Sequence, residues 1–216
     1  MKEYIEDCRG ILIHHHSKNI SKTKAHFYRQ RMIIIEDTLN KIILYHIAPT
    51  ILRLKPANLI NFTEFNRLYP SWRNSSRKQI QAFFAGFSFN EGVEYQEIYH
   101  YPGKQALVLF YNEEMLEEVL FNQKNRNFLA DCGYKANPNV SGCLHQLSQR
   151  LLFPKFPHEI GIFLGIPLGD VLGFIANKGK NYIFNHYWKV YQNPHAAKKI
   201  FASFDQAKID LYKEFC

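Results

Sequence analysis

Cysteine is scarce in this chain, and its four residues are scattered at Cys8, Cys132, Cys143 and Cys216. No CxxC pair occurs, which excludes a zinc ribbon and a thioredoxin-like dithiol. A domain of this size builds its core without disulfides, so the four are read as free thiols in a reducing compartment. Apolar runs are short as well. None approaches the ~18 residues that a membrane-spanning helix needs. The N-terminus carries Glu3, Glu6 and Asp7 beside a brief "GILI", which is not the pattern of a secretory signal. These absences lead to the expectation of a cytoplasmic protein without a membrane partner. Linkers rich in Gly, Pro or Ser are missing, as is any internal repeat, so nothing marks a boundary between two domains.

Acid is also in short supply. Asp and Glu number 19 against 27 Lys and Arg, a formal charge of +8. That excess admits a nucleic-acid partner only weakly, because the cations are spread along the chain and charge alone is a nonspecific signal. Their longest cluster is "HHHSKNISKTKAHFYRQR", polar and without apolar periodicity until Met32. It reads as part of a flexible basic N-terminal tail, residues 1–25, ahead of a single domain spanning residues 26–216. The triplet His14, His15 and His16 binds metal adventitiously at most, since a metal site needs ligands held in geometry. No metal site is expected.

What is present is enough to fold. At 46% hydrophobic and 15% aromatic, the chain can bury a sizeable core. Ile35, Leu39, Ile42 and Ile43 recur at helical spacing, predicting a first helix that Pro49 stops. "LKPANLINF" fits a strand or a loop. Residues 71–87 have a helical pattern ending near Gly86. "GVEYQEIYHY" alternates Val93, Tyr95, Glu97, Tyr99 and Tyr101 against Glu94, Gln96, Ile98 and His100, a strand pattern. "KQALVLFY" is apolar on both faces, as a central strand should be, and "YPGK" between the two predicts an antiparallel hairpin. Asn112 then opens a long helix with Met115, Leu116, Val119 and Leu120 as its stripe and Gly133 as its stop. "VSGCLHQLSQRLL" predicts a helix on Leu144, Leu147 and Leu151. A final helix starts at Asn193-Pro194 and runs Ala197, Ile200, Phe201, Phe204, Leu211 and Phe215 along one side. Helices with a hairpin and no βαβ alternation indicate an α+β fold: one domain, an antiparallel hairpin-containing sheet packed with several helices.

Motifs for chemistry are thin. His158-Glu159 is not followed by a second His at the HExxH spacing, because the fourth residue on is Ile162. Gly161, Gly165, Gly169 and Gly173 recur every fourth residue, which matches neither GxGxxG nor a P-loop; close packing explains them more simply. Cys143 and His145 are two apart on a helix and do not share a face. In "FPHEIGIFLGIPLGDVLGFIANKGKNYIFNHYWKVY", residues 156–191, "EIGIFLG" suits a short helix or a buried strand. "PLGDVLGFIANKG" suits a helix from Pro167 to Gly179, and "NYIFNHYWKVY" an aromatic strand with Trp188 and Val190 facing the core.

That stretch, with "LYHIAPTILRLKPANLI" upstream, resembles a bacterial family known as domain of unknown function 3793, over roughly residues 40–205. The family carries no established reaction, so the resemblance implies a label rather than a mechanism. In the family's pattern a Cys commonly follows the His equivalent to His46, and another precedes the segment equivalent to His186-Tyr187-Trp188. Here those positions hold Ile47 and Asn185. Two readings stay open. One is a ligand-binding or accessory protein whose partner is an unknown small molecule or protein. The other is a thiol-type hydrolase or transferase related to papain-like folds, with His158 as base and inactive here because Ile47 is no nucleophile. The candidate binding or motif residues are His46, His158, Glu159, Asp170, Asn185, Tyr187, Trp188 and Lys189. None is read as catalytic, and no cofactor is named by the sequence.

Overall fold

The computed structural model describes residues 5–6, 12–13, 37–63, 92–101, 105–135 and 139–215. The predicted helix over 71–87 lies outside them. Two dipeptide strands, β1 (Ile5–Glu6) and β2 (Leu12–Ile13), pair antiparallel. Next come α1 (Asp37–Ile51), β3 (Ala57–Thr63), β4 (Val93–Tyr101) and β5 (Gln105–Asn112). They are followed by α2 (Glu113–Phe121), α3 (Gln123–Asp131), α4 (Val140–Leu151), α5 (Ile160–Phe163) and α6 (Leu168–Ala176). β6 (Phe184–Asn185), β7 (Lys189–Val190) and α7 (Pro194–Phe215) complete the described chain. The class is α+β, as the sequence predicted.

The central sheet has the order β3-β5-β4 and is antiparallel throughout. β5 therefore lies in the middle, which is why it is apolar on both sides. Ala106, Val108 and Phe110 point to one face and pack with Ile60 and Phe62 of β3, Ile43, Ile47 and Ile51 of α1, and Leu211 of α7. Leu107 and Leu109 point to the other, against Leu116 and Leu120 of α2, Leu144 and Leu147 of α4, and Phe163 of α5. A third cluster joins Trp188 and Val190 to Ala197, Phe201 and Phe204 in the first half of α7.

The predicted hairpin of β4 and β5 is present, but its alternation is not continuous. A bulge between Glu97 and Tyr99 places Tyr99 opposite Leu107. An extra residue in one strand reverses the faces beyond it, so Ile98 and Tyr99 both join the second cluster. Pro49 lies inside α1 rather than ending it, and the helix runs only two residues past it; the carbonyl of Pro49 accepts from the amides of Leu54 (2.8 Å) and Lys55 (3.2 Å) as the chain leaves. The single long helix predicted from Asn112 is two. Asn122, at ψ 132°, leaves the helical region and caps α3, its side chain accepting from the amide of Lys124 at 3.1 Å.

"EIGIFLG" is the short helix α5. "NYIFNHYWKVY" is not one strand: it folds back on itself at His186-Tyr187-Trp188 to make the β6–β7 pair. A lone strand of that length would leave its backbone groups unpaired, and the turn gives each half a partner. In α7, Ile200 is exposed rather than on the packed side. The recurring glycines are sites of close approach. A Cβ on Gly173 would come within 2.5 Å of the Tyr191 ring, and one on Gly161 within 2.8 Å of Val171.

Candidate functional site

The candidate residues separate into distinct neighbourhoods, each fixed by the element that carries it. Asp170 stands in the first turn of α6, where a carboxylate is favoured by the helix dipole. It is 2% exposed. One carboxylate oxygen accepts from Trp188 Nε1 at 2.8 Å, and the other accepts from the amides of Tyr191 and Gln192 at 2.8 Å each. These three hydrogen bonds tie α6 to β7 and the residues on either side of it. Trp188, held this way, sets its ring edge-on to Phe201 at 4.4 Å. Both residues are fully engaged with the protein's own groups in this geometry.

Glu159 is buried immediately before α5 and paired with Nε of Arg150 on α4. The Arg150 guanidinium also lies over the Tyr134 ring at 5.7 Å. Tyr134 is buried, its hydroxyl has no partner among the described residues, and burial, with Glu159's charge second, pushes its ionisation far up. The thiols nearby are equally inert. Burial pushes Cys143 up to about 11 and raises Cys132, the latter helped by the charge of Glu159. A thiol held protonated is a poor nucleophile, so neither suits the thiol-enzyme reading.

The asymmetry of the Arg150–Glu159 pair makes a prediction. Arg150 is 39% exposed at its side chain and Glu159 only 5%. Removing the arginine strands a charge in the interior, whereas removing the glutamate leaves a cation that water can solvate. Arg150→Ala should cost about 3 kcal/mol and Glu159→Ala about 1–2 kcal/mol. Urea denaturation of both variants checks the order; equal losses would show that the pair itself is not the cause.

His158 faces elsewhere. Its ring meets Phe174 of α6 edge-on at 5.1 Å and Phe156 at 6.0 Å. Lys189 completes the group, with its ammonium 5.6 Å from the Phe174 ring, 5.0 Å from Tyr182, and donating to the Gly179 carbonyl at 2.7 Å. Phe156, His158, Phe174, Lys189 and Tyr182 form one continuous surface row.

Tyr187 belongs to another group again. Its hydroxyl donates to Asp205 at 2.7 Å, its ring stacks on His186 at 4.8 Å, and Lys208 lies 4.5 Å over it. The same Lys208 ammonium lies 5.0 Å over Tyr45, the neighbour of His46. The stretches around Tyr45 and Tyr187 therefore approach each other at Lys208. His46 and Asn185 are exposed, and Ile47 is fully buried in the α1 core. Among the described residues no group of three or more His, Cys, Asp or Glu is placed to hold a metal.

A family model for proteins of unknown function, DUF3793, matches residues 43–216. The chain belongs to the DUF3793 family. No curated protein and no solved structure matches it.

Within this DUF3793 chain one signal was readable in the sequence and was passed over. From Cys132 to Phe204 the only acids are Glu159 and Asp170, against eight Lys and Arg. Both acids are buried and internally bonded. The same stretch exposes large apolar side chains: Phe153 at 68%, Leu152 at 65% and Ile183 at 57%, with Phe156, Leu172 and Ile175 beside them in the chain. These residues, and the lysines Lys155, Lys178 and Lys180, were missed because exposed apolar residues look like core residues in a sequence.

Proposed function

We propose that this DUF3793 protein is an interaction protein, and that the face built from residues 152–183 docks an acidic protein segment bearing apolar side chains. The observation that carries the reading is that residues 152–183 expose seven large apolar side chains and the lysines Lys155, Lys178 and Lys180, with no exposed carboxylate on the segment. Large apolar side chains left exposed in this number on one segment favour a place where something binds. The basic rim selects the sign of the partner and speeds its approach. Nucleic acid fits less well, since Leu152, Leu172, Ile175 and Ile183 neither stack on bases nor pair with them. A bilayer also fits less well. The apolar residues lie on turns and on the nine-residue α6, not on a long amphipathic helix of the interfacial kind.

Fluorescence anisotropy with a labelled random glutamate–tyrosine copolymer tests the proposal. The copolymer should bind, and Phe153→Ser or Phe156→Ser should weaken it about tenfold each, the worth of ~1.4 kcal/mol of aromatic burial. The melting temperature of Phe153→Ser should match the parent, because that side chain is 68% exposed, and that of Phe156→Ser should fall only slightly, since its ring is half exposed. Equal or tighter binding of single-stranded DNA or phosphatidylglycerol vesicles would overturn the choice of partner. Unchanged copolymer affinity in both variants would overturn the face.

A further inference from the structure

The turn that leaves α6 seats a lysine in a fixed place on the surface. Lys178, Gly179 and Asn181 lie in the left-handed region, at φ 51°, 71° and 57°, and the turn is bonded back onto its helix. The amide of Gly179 donates to the carbonyl of Phe174 and that of Lys180 to the carbonyl of Asn177, each at 2.9 Å. Nδ2 of Asn177 donates to the Gly173 carbonyl, also at 2.9 Å. The Gly179 carbonyl then accepts from Nζ of Lys189 at 2.7 Å. A Cβ on Gly179 would lie 3.1 Å from the Phe174 ring edge and 3.4 Å from that Nζ, so glycine lets ring and ammonium close on the turn.

Lys189 is thereby held in the row that runs through Phe174. Its ammonium lies 5.6 Å from the Phe174 ring and 5.0 Å from Tyr182, while His158 lies 5.1 Å from Phe174 and 6.0 Å from Phe156. The end members, Phe156 and Tyr182, are 48% and 43% exposed. His158, Phe174 and Lys189 between them are half-buried, so each keeps part of its surface in water. Donors in this row go unused. An imidazole carries at least one N–H in either protonation state, and no hydrogen bond or ion pair engages the His158 ring among the described residues. The Lys189 ammonium has three N–H bonds and directs one of them at Gly179. The two carboxylates of the segment are committed elsewhere, Glu159 to Arg150 and Asp170 to Trp188, Tyr191 and Gln192.

We infer that, on the docking face proposed above and resting on that reading, His158 and Lys189 receive one glutamate or aspartate side chain of the partner, while Phe156 and Tyr182 receive apolar side chains two residues before and after it. A carboxylate has acceptor sites enough for both donors. In an extended segment every second side chain faces the same way, about 7 Å apart. The row offers the matching order, a ring, two donors and a ring, in steps of 5.0 to 6.0 Å. The ammonium is already held by Gly179, so it loses little freedom on binding. The partner's pattern is therefore apolar, any residue, acid, any residue, apolar.

Two labelled peptides with capped termini test this, one carrying Tyr-Ser-Glu-Ser-Tyr and the other glutamine in place of the glutamate, each titrated against the full-length chain by fluorescence anisotropy. The parent should prefer the glutamate peptide about tenfold, as hydrogen bonds to a charged group warrant. Lys189→Met should reduce that preference to about twofold, and His158→Phe, which keeps a ring against Phe174, to about threefold. Lys189→Arg keeps the charge and should keep most of the preference. A structural effect of any substitution weakens both peptides alike, so the ratio of affinities reads the contact itself.

No preference in the parent, or the parent's preference retained in both Lys189→Met and His158→Phe, would overturn the assignment. The glutamate–tyrosine copolymer separates this from the docking face. Copolymer binding that Phe153→Ser weakens and Lys189→Met leaves unchanged would remove the carboxylate seat and keep the face. A copolymer that does not bind the parent would remove both.

Discussion

Asp170→Ala is expected to lower the stability of the domain by about 3–5 kcal/mol, the loss that follows when a buried charged partner is removed and its donors are stranded. Three donors lose their acceptor at once: the Trp188 indole and the amides of Tyr191 and Gln192. None can turn to water without moving the β6–β7 turn away from α6. Asp170→Asn separates charge from geometry. The amide keeps one oxygen for the two backbone donors but points an NH2 at the indole N–H, so about half the loss should remain. Near-ultraviolet circular dichroism of Trp188 should fade in the alanine variant even below the melting transition, because the indole loses its anchor. A melting temperature unchanged in Asp170→Ala would mean that packing of Trp188 against Phe201 holds the segment alone.

The second large effect is at Gly165. Its φ is +72°, in the left-handed region, and a Cβ there would lie 2.6 Å from Cδ and 2.7 Å from Cγ of Pro56. A proline ring has no rotamer by which to withdraw. Gly165→Ala must therefore bear left-handed strain of about 1–2 kcal/mol and an overlap of about 1–3 kcal/mol, so a loss near 3 kcal/mol is expected. Gly133 is the internal control. Its φ is +94°, but nothing lies within 4 Å of a Cβ built on it. Gly133→Ala should cost only the strain, about 1–2 kcal/mol. Chemical denaturation of the two variants side by side checks the difference, and equal losses would show that Pro56 yields.

Much of the architecture was legible because its signals are local. The alternation around "YPGK" marked β4 and β5, the doubly apolar "KQALVLFY" marked the central strand, and the asparagines at 112 and 193 marked helix starts, with side chains that accept from the amides of Met115 and Ala196. The failures share a cause. The bulge at Glu97/Tyr99, the break at Asn122 and the turn at His186-Tyr187-Trp188 each depend on what a neighbouring element needs, and periodicity within one segment does not carry that information. The site was harder still. His158, Glu159, Trp188 and Lys189 are close in sequence or rank as polar residues in an apolar run, yet the fold brings only His158 and Lys189 together, at Phe174, and turns Glu159 and Trp188 to other partners.

The placement of β5 between β3 and β4 has a consequence for how the chain folds. β4 and β5 are joined by a tight connection and can zip together on the microsecond scale of hairpins. β3 cannot pair until β5 exists, and its first rung, Thr63 with Gln105, closes a loop across the residues between them. The side of the sheet covered by α1 also needs Ala207 and Leu211, which lie near the other end of the chain from α1. A nascent chain halted before α7 would therefore hold a hairpin with α2 and α4 against one face and an incompletely covered Val108 and Phe110 on the other. In pulse-labelled hydrogen exchange, β4 and β5 should gain protection first, and β3 together with α1 only as α7 docks.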